Sequence, residues 1–280
     1  MKIKFTKMHG CGNDYIYINC FENDICDPGS LSMKLSDRRY SVGGDGIILI
    51  EPSDCADAKM RIFNKDGSEG KMCGNGIRCV AKYLYDKGMA ANKDCIKVET
   101  LSGIKNISIV ENSDYEAILK VNMGQAILDS EKIPMIFSKS KVVNEPITVD
   151  GEVYNITCVS MGNPHCIIFC DEVYSVDVKD IGSKLSSHNM FPEGANIEFV
   201  SVIDDHNIAM RVWERGSGET LACGSGACAS VVAAVENGFC KKDEDITVHL
   251  RGGKLVINYS GDGVLMTGNA VKIFEGEIEL

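Results

Sequence analysis

The chain has 280 residues, room for one large domain or two ordinary ones, since compact domains usually hold roughly 100 to 200 residues. Hydrophobic residues make up 44% and charged residues 25%, a balance that excludes a disordered or a membrane-embedded chain and points to a globular protein. With 40 acidic residues against 29 basic ones the net charge is -11, and no Lys/Arg-rich run offsets it, so neither nucleic acid nor an acidic membrane is an expected partner.

In chain order, Lys2, Lys4 and Lys7 could open a signal peptide, but Gly10, Gly12, Asn13 and Asp14 interrupt any apolar segment, so a cytoplasmic location is expected. Residues 15–19, 46–50 and 60–63 read as short strands bounded by Gly, Asn, Asp or Ser, with a helix over 30–39 between the first two. A second helix spans 75–87, with Ile77, Val80, Ala81 and Leu84 on one face and Gly88 as its terminator. Strands follow at 96–100 and 104–110. In the second half, helices are expected over 180–188 and 225–237; the latter is apolar nearly all round and must therefore be buried. The longest apolar runs, such as 231–235, fall far short of the ~20 residues that span a bilayer.

Sliding the sequence against itself by 150 residues brings six separated segments into register. Gly12-Asn13 faces Gly162-Asn163, Gly44 faces Gly194, and Arg61-Ile62-Phe63-Asn64-Lys65 faces Arg211-Val212-Trp213-Glu214-Arg215. Cys73-Gly74-Asn75-Gly76 faces Cys223-Gly224-Ser225-Gly226, and the two pairs of helices match as well. A constant offset over so many segments implies tandem duplication. The expected fold is α/β of the α+β type: two pseudo-symmetric lobes, each a curled mixed sheet around a central helix. Their boundaries fall at residues 1–123, joined by a C-terminal strand at 269–280, and at 124–268.

Thirteen cysteines without a secretory leader should be thiols in a reducing compartment, and most should be small buried hydrophobes. Their spacing supplies no second half-site of a structural zinc, so no metal is expected. Cys73 and Cys223 differ from the rest, because each sits where a helix begins. There the macrodipole lowers a thiol's pKa, and the unpaired N–H groups of the glycine-rich turn can bind a carboxylate. Two such sites related by a pseudo-two-fold suit inversion at a carbon next to a carboxylate: one thiolate removes the α-proton while the opposite thiol delivers another, with no cofactor required. Read singly, a cysteine at a helix start is a buried residue or weak cap, His165 a turn or core histidine, Glu214 and Arg215 a surface pair, and Asn13, Asn64, Asn163 and Asn196 turn residues. Recurrence of the sulfur and both glycines favours function for the cysteines.

These residues resemble the diaminopimelate epimerase family over nearly the whole chain. The carriers are Met8-His9-Gly10-Cys11-Gly12-Asn13-Asp14-Tyr15, Phe63-Asn64-Lys65-Asp66-Gly67-Ser68-Glu69 and Met72-Cys73-Gly74-Asn75-Gly76-Ile77-Arg78-Cys79, then Gly162-Asn163-Pro164-His165, Gly194-Ala195-Asn196, Glu214-Arg215-Gly216 and Ala222-Cys223-Gly224-Ser225-Gly226. The resemblance implies cofactor-independent interconversion of LL- and meso-diaminopimelate in lysine and peptidoglycan precursor synthesis, with Cys73 and Cys223 as acid/base residues. Gly74, Asn75, Gly224 and Ser225 would contact the reacting end, Asn13, Asn64, Asn163, Asn196, Glu214 and Arg215 would hold the substrate's charged groups, and His165 and Glu214 would tune the thiols. A homodimer is the implied assembly. Gly46 stands where some members carry a substrate-contacting glutamine, and Cys11 where an aliphatic residue is more usual. The rivals are a proline racemase, for which the distal Asn64, Asn196, Glu214 and Arg215 would be idle, a binding protein that has lost its chemistry, and a Cys73–Cys223 redox switch.

Overall fold

The computed structural model describes residues 2–279 and divides into two compact units, one running to Asn122 and resuming at Thr267, the other Met123–Met266. In the first unit the elements are β1 (Lys2–Gly10), β2 (Asn13–Asn19), α1 (Pro28–Leu35), β3 (Gly46–Glu51), β4 (Ala58–Asn64), β5 (Glu69–Gly70), α2 (Gly74–Asp86), β6 (Ile96–Thr100), β7 (Gly103–Asn112) and β8 (Glu116–Gly124). β2 runs parallel to β3 and β4 parallel to β6, while β1–β2, β3–β4, β6–β7 and β7–β8 are antiparallel.

The second unit holds β9 (Glu145–Val149), β10 (Glu152–Ser160), β11 (Pro164–Phe169), α3 (Val178–Ser186), β12 (Asn196–Asp204), β13 (Asn207–Glu214), β14 (Gly218–Thr220), α4 (Gly224–Glu236), β15 (Asp245–Leu250) and β16 (Gly253–Ser260). The chain leaves it along β17 (Gly263–Glu279), which pairs antiparallel with β1 of the first unit's sheet. Parallel β11–β12 repeats β2–β3, and parallel β13–β15 repeats β4–β6. The repeat extends to residue register: Tyr15 lies opposite Gly46 and His165 opposite Asn196, each 150 residues on.

Strands β2 and β3 are buried on both faces, which is why Ile16–Ile18 and Ile47–Ile50 read as continuous apolar runs rather than an alternation. Ile16, Ile18, Ile47 and Leu49 pack with Leu31 and Leu35 of α1, while on the other face Tyr17 donates from its hydroxyl to Gly76 O of α2 at 3.4 Å. In the second unit Ile168, Ile197 and Phe199 form the corresponding core with Leu185 of α3.

Helices α2 and α4 each start one residue before the expected position. α1 ends at Leu35 rather than at 39, because Asp37 Oδ1 accepts from the N–H groups of Arg39 (2.7 Å) and Tyr40 (2.9 Å), a local turn that competes with the helix. α3 is shifted two residues toward the N-terminus of the expected 180–188, since Asp177 caps it by accepting from Asp180 N at 3.0 Å. α2 departs from a one-faced helix: Arg78 and Lys82 are as fully buried as Ile77 and Leu84. Their charges are met inside, Arg78 donating to Asn269 O, Gly74 O and Asn75 Oδ1 at 2.9–3.0 Å, and Lys82 to Asp86, Asn112 and Ser113 O at 2.8–3.1 Å. The strand β1 has no counterpart among the expected elements, because buried Lys7 interrupts its apolar alternation.

Candidate active site

In the first unit Cys73 occupies the N-cap of α2 with extended backbone (φ -134°, ψ 117°), and its sulfur accepts from Gly76 N at 3.3 Å. The side chain therefore does the work of a capping Ser or Asp, satisfying one of the helix's first N–H groups. A Cβ at Gly76 would lie 2.6 Å from Ile48 Cδ1, so a side chain there would push the end of Ile48 aside. The thiol also donates to Asn13 Oδ1 at 3.2 Å. Asn13 is held by its other end, Nδ2 donating to Asp45 Oδ2 at 2.8 Å, so the amide can only turn its oxygen toward the sulfur. Behind it, Arg38 spans Asp14 and Asp45, and Lys7 binds Asp14 Oδ2 at 2.7 Å and the Gly43 carbonyl. Burial opposes ionisation of Asp14, but the hydrogen bonds and charges of Arg38 and Lys7 win and hold its carboxyl below the ordinary value.

Asn75 lies in the first turn of α2, its Oδ1 taken by Arg78. Asn64 ends β4 opposite Gly46 and donates from Nδ2 to Ser68 Oγ at 3.1 Å. A side chain at position 46 has no place in this backbone, for its Cβ would come within 2.1 Å of Phe63 O. Cys11 is buried, close enough to Arg78 for Nη2 to donate to its sulfur at 3.8 Å, and burial pushes its thiol up.

In the second unit Cys223 is the N-cap of α4 with nearly the same backbone (φ -121°, ψ 112°), accepting from Gly226 N at 3.4 Å. Ser225 Oγ lies 3.5 Å from the sulfur. Burial, followed by the carboxylates of Glu214 and Glu198, pushes the Cys223 thiol well above its ordinary 9.0, outweighing the helix N-terminus expected to lower it. Burial also raises Glu214, which Thr220 Oγ1 hydrogen bonds. His165 is fully buried, with Nδ1 2.7 Å from Glu198 Oε1 and Nε2 3.1 Å from Asn163 Oδ1. Asn196 Oδ1 accepts from Arg215 N at 2.9 Å, while the Arg215 guanidinium reaches Glu193 O at 2.8 Å.

The sequence-predicted residues thus gather within each unit around the start of its central helix: Asn13, Gly74 and Asn75 about Cys73, and Glu214, Gly224 and Ser225 about Cys223, with Asn163 and His165 tied to one another. Lys7, Arg38, Asp45 and Glu198 escaped sequence reasoning. A signal existed for two of them: Asp45 sits in the run Gly43-Gly44-Asp45-Gly46, and Glu198 is the one charge within Ile197–Val200. Among the described residues no group of three His, Cys, Asp or Glu is placed to hold a metal, and no helix is long and apolar enough to cross a membrane.

Each unit thus carries a thiol at the N-terminus of its central helix, where a sulfur can hydrogen bond backbone N–H and side-chain groups, and the duplicated α/β chain has the fold of solved amino-acid epimerases and racemases. A solved hydroxyproline epimerase from Agrobacterium vitis shares the fold with a TM-score of 0.73 and 14% identity, over 100% of this chain and 93% of that one. The sequence matches the diaminopimelate epimerase family over residues 5–128 and 157–273. Diaminopimelate epimerases from Acetivibrio thermocellus and Methanococcus maripaludis strain C6 are 51% and 49% identical to it over 280 residues, covering 99% of this chain and 99% and 100% of their own lengths. The chain belongs to the diaminopimelate epimerase family.

Proposed function

We propose that this chain is an isomerase that interconverts LL- and meso-diaminopimelate without a cofactor, with Cys73 and Cys223 as its two acid/base residues. The observation that carries the reading is that the only Cys-Gly-x-Gly elements of a duplicated chain both cap the central helix of their unit through the sulfur, in a family whose relatives about half identical act on this substrate by name. In each direction one sulfur, as thiolate, takes the α-proton and the other, as thiol, returns a proton to the opposite face, so the next turnover in reverse uses the exchanged roles. The charge that develops on the substrate carboxylate is met by N–H groups of Gly74, Asn75, Gly224 and Ser225 at the two helix starts. Asn13, Asn64, Asn163, Asn196, Glu214 and Arg215 hold the substrate's ammonium and carboxylate groups, chiefly at the centre that does not react, and His165 and Glu214 adjust the thiols.

The Cys73 thiol donating to Asn13, and the Cys223 thiol kept protonated by burial, describe a resting protein with both sulfurs as thiols. One proton must therefore leave before the first turnover, and Glu214, itself raised by burial and facing Cys223, is the acceptor within reach. Function as a cytoplasmic homodimer completes the proposal; thirteen cysteines outside any disulfide suit a reducing compartment. The test is proton NMR of the reduced protein in D2O with LL-diaminopimelate, and L-proline in parallel. Loss of the diaminopimelate α-proton with appearance of the meso isomer is the expected result. Exchange of proline alone would make it a racemase of cyclic amino acids, and exchange of neither would leave a binding protein.

A further inference from the structure

Glu198 lies on β12 with its side chain fully buried, and its Oε2 has no hydrogen-bond partner among the described residues. Its repeat partner 150 residues earlier is Ile48. The two occupy the same place in their units: Ile48 Cδ1 would lie 2.6 Å from a Cβ on Gly76, and Glu198 Oε1 2.5 Å from one on Gly226, each at the start of the central helix. Strand register agrees, Ile48 opposite Tyr17 and Glu198 opposite Ile167. A position that packing fills with an aliphatic side chain in one copy therefore carries a carboxylate in the other, at the desolvation cost of a buried charge. Packing alone does not call for it.

What Glu198 does is hold His165, Oε1 to Nδ1 at 2.7 Å. The other ring nitrogen faces Asn163 Oδ1, which cannot donate, so Nε2 must carry a proton. The Nδ1–Oε1 contact holds a second. The pair therefore keeps two protons, as imidazolium with carboxylate or as imidazole with carboxylic acid, and is neutral either way. With its oxygen occupied, Asn163 turns its NH2 group away from His165, with no acceptor among the described residues of its own unit. The first copy has no such chain, because Tyr15 and Ile48 stand where His165 and Glu198 do.

We propose that Glu198 is a positioning residue for the epimerisation: through Nδ1 of His165 it fixes the Nε2 proton, and so presents the Asn163 amide to substrate as a hydrogen-bond donor. This rests on the epimerisation proposed above. The test compares E198I, which installs the residue that fits the equivalent site of the first copy, with E198Q, whose amide can still bond Nδ1. Folding is checked by a cooperative melt. For E198I the expected result is a KM for diaminopimelate raised about tenfold because the donor geometry at Asn163 is lost, with E198Q, which also removes the charge beside Cys223 but keeps a bond to Nδ1, recovering KM to within about threefold of the parent. In substrate-free protein the imidazole protons of His165, assigned by their absence in H165Q, should show a sharp Nε2–H in the parent, and a lost or weakened Nε2–H in E198I, where the ring is free to take the other tautomer. A parent lacking the Nε2 proton, an E198I with KM within twofold of the parent, or an E198Q as impaired as E198I would each overturn the proposal. Should E198I fail to fold, the KM of E198Q and the parent spectrum decide by the same limits. A parent inactive on diaminopimelate would sink the epimerisation reading, while the spectra would still judge the hold of Glu198 on His165.

Discussion

Replacing Asp45 by alanine probes how the first unit prepares Cys73. Asp45 Oδ2 holds Asn13 Nδ2 at 2.8 Å, and that bond alone dictates that Oδ1 rather than NH2 faces the sulfur 3.2 Å away. Removing it frees the amide to turn over. A hydrogen bond to a charged acceptor contributes about 1.5–3 kcal/mol, but the Asp45 side chain is 39% exposed, so about 1–2 kcal/mol is the fitting range. If that energy goes into holding Asn13 for substrate and thiol, kcat/KM for diaminopimelate falls roughly 5- to 30-fold. The fold should survive, because Arg38 keeps its bonds to Asp14 and Lys7 keeps its own. A second readout separates orientation from general loosening: with the amide turned, its NH2 supports the thiolate, and Cys73 should be alkylated by iodoacetamide faster than in the parent, while buried Cys79 and Cys228 are not. The assay is meso-isomer formation by NMR, with peptide mapping of the alkylated protein. An activity within twofold of the parent with unchanged Cys73 labelling would refute the reasoning.

Replacing Arg78 by alanine should cost about 1.5–3 kcal/mol in urea unfolding, because Gly74 O, Asn75 Oδ1 and Asn269 O lose a buried charged donor; a loss under about 0.5 kcal/mol would show that water replaces it. Burial pushes the Cys20, Cys79 and Cys240 thiols up to about 11, above their unfolded value of 9.0. The unfolded chain therefore releases these protons first, so stability is full below pH 9 and declines as pH rises from 9 toward 11; a melting temperature flat over that window in reducing buffer would contradict this. Since the Glu214 carboxylate helps raise Cys223, Glu214→Gln should move the onset of Cys223 alkylation to lower pH, and an onset moved upward would assign the effect elsewhere.

Duplication was legible because it preserves order: the 150-residue offset that aligns Cys73 with Cys223 also sets strand register, Tyr15 opposite Gly46 and His165 opposite Asn196. Both central helices were legible from glycines at each end. Periodicity sees only apolar spacing, so it could not foresee that α2 buries Arg78 and Lys82, whose partners Asn269, Asn112 and Ser113 lie far along the chain. The same limit hid Asp45 and Glu198, for each acts through a residue on another element, Asn13 on β2 and His165 on β11. The pKa of Cys223 was misjudged from the helix terminus alone, because the opposing carboxylates arrive from β12 and β13 and burial from the whole unit.

The central claim, two sulfurs acting on one α-carbon, is tested most directly by early-time deuterium content. LL-diaminopimelate is epimerised in D2O to low conversion, and product and remaining substrate are separated and weighed by mass. Two bases predict meso product carrying one deuterium at the inverted centre and LL substrate still protiated, because the thiol that delivers its proton has exchanged with solvent. Meso product that retains the original α-proton would mean a single base returning what it took, and the two-cysteine account would be wrong.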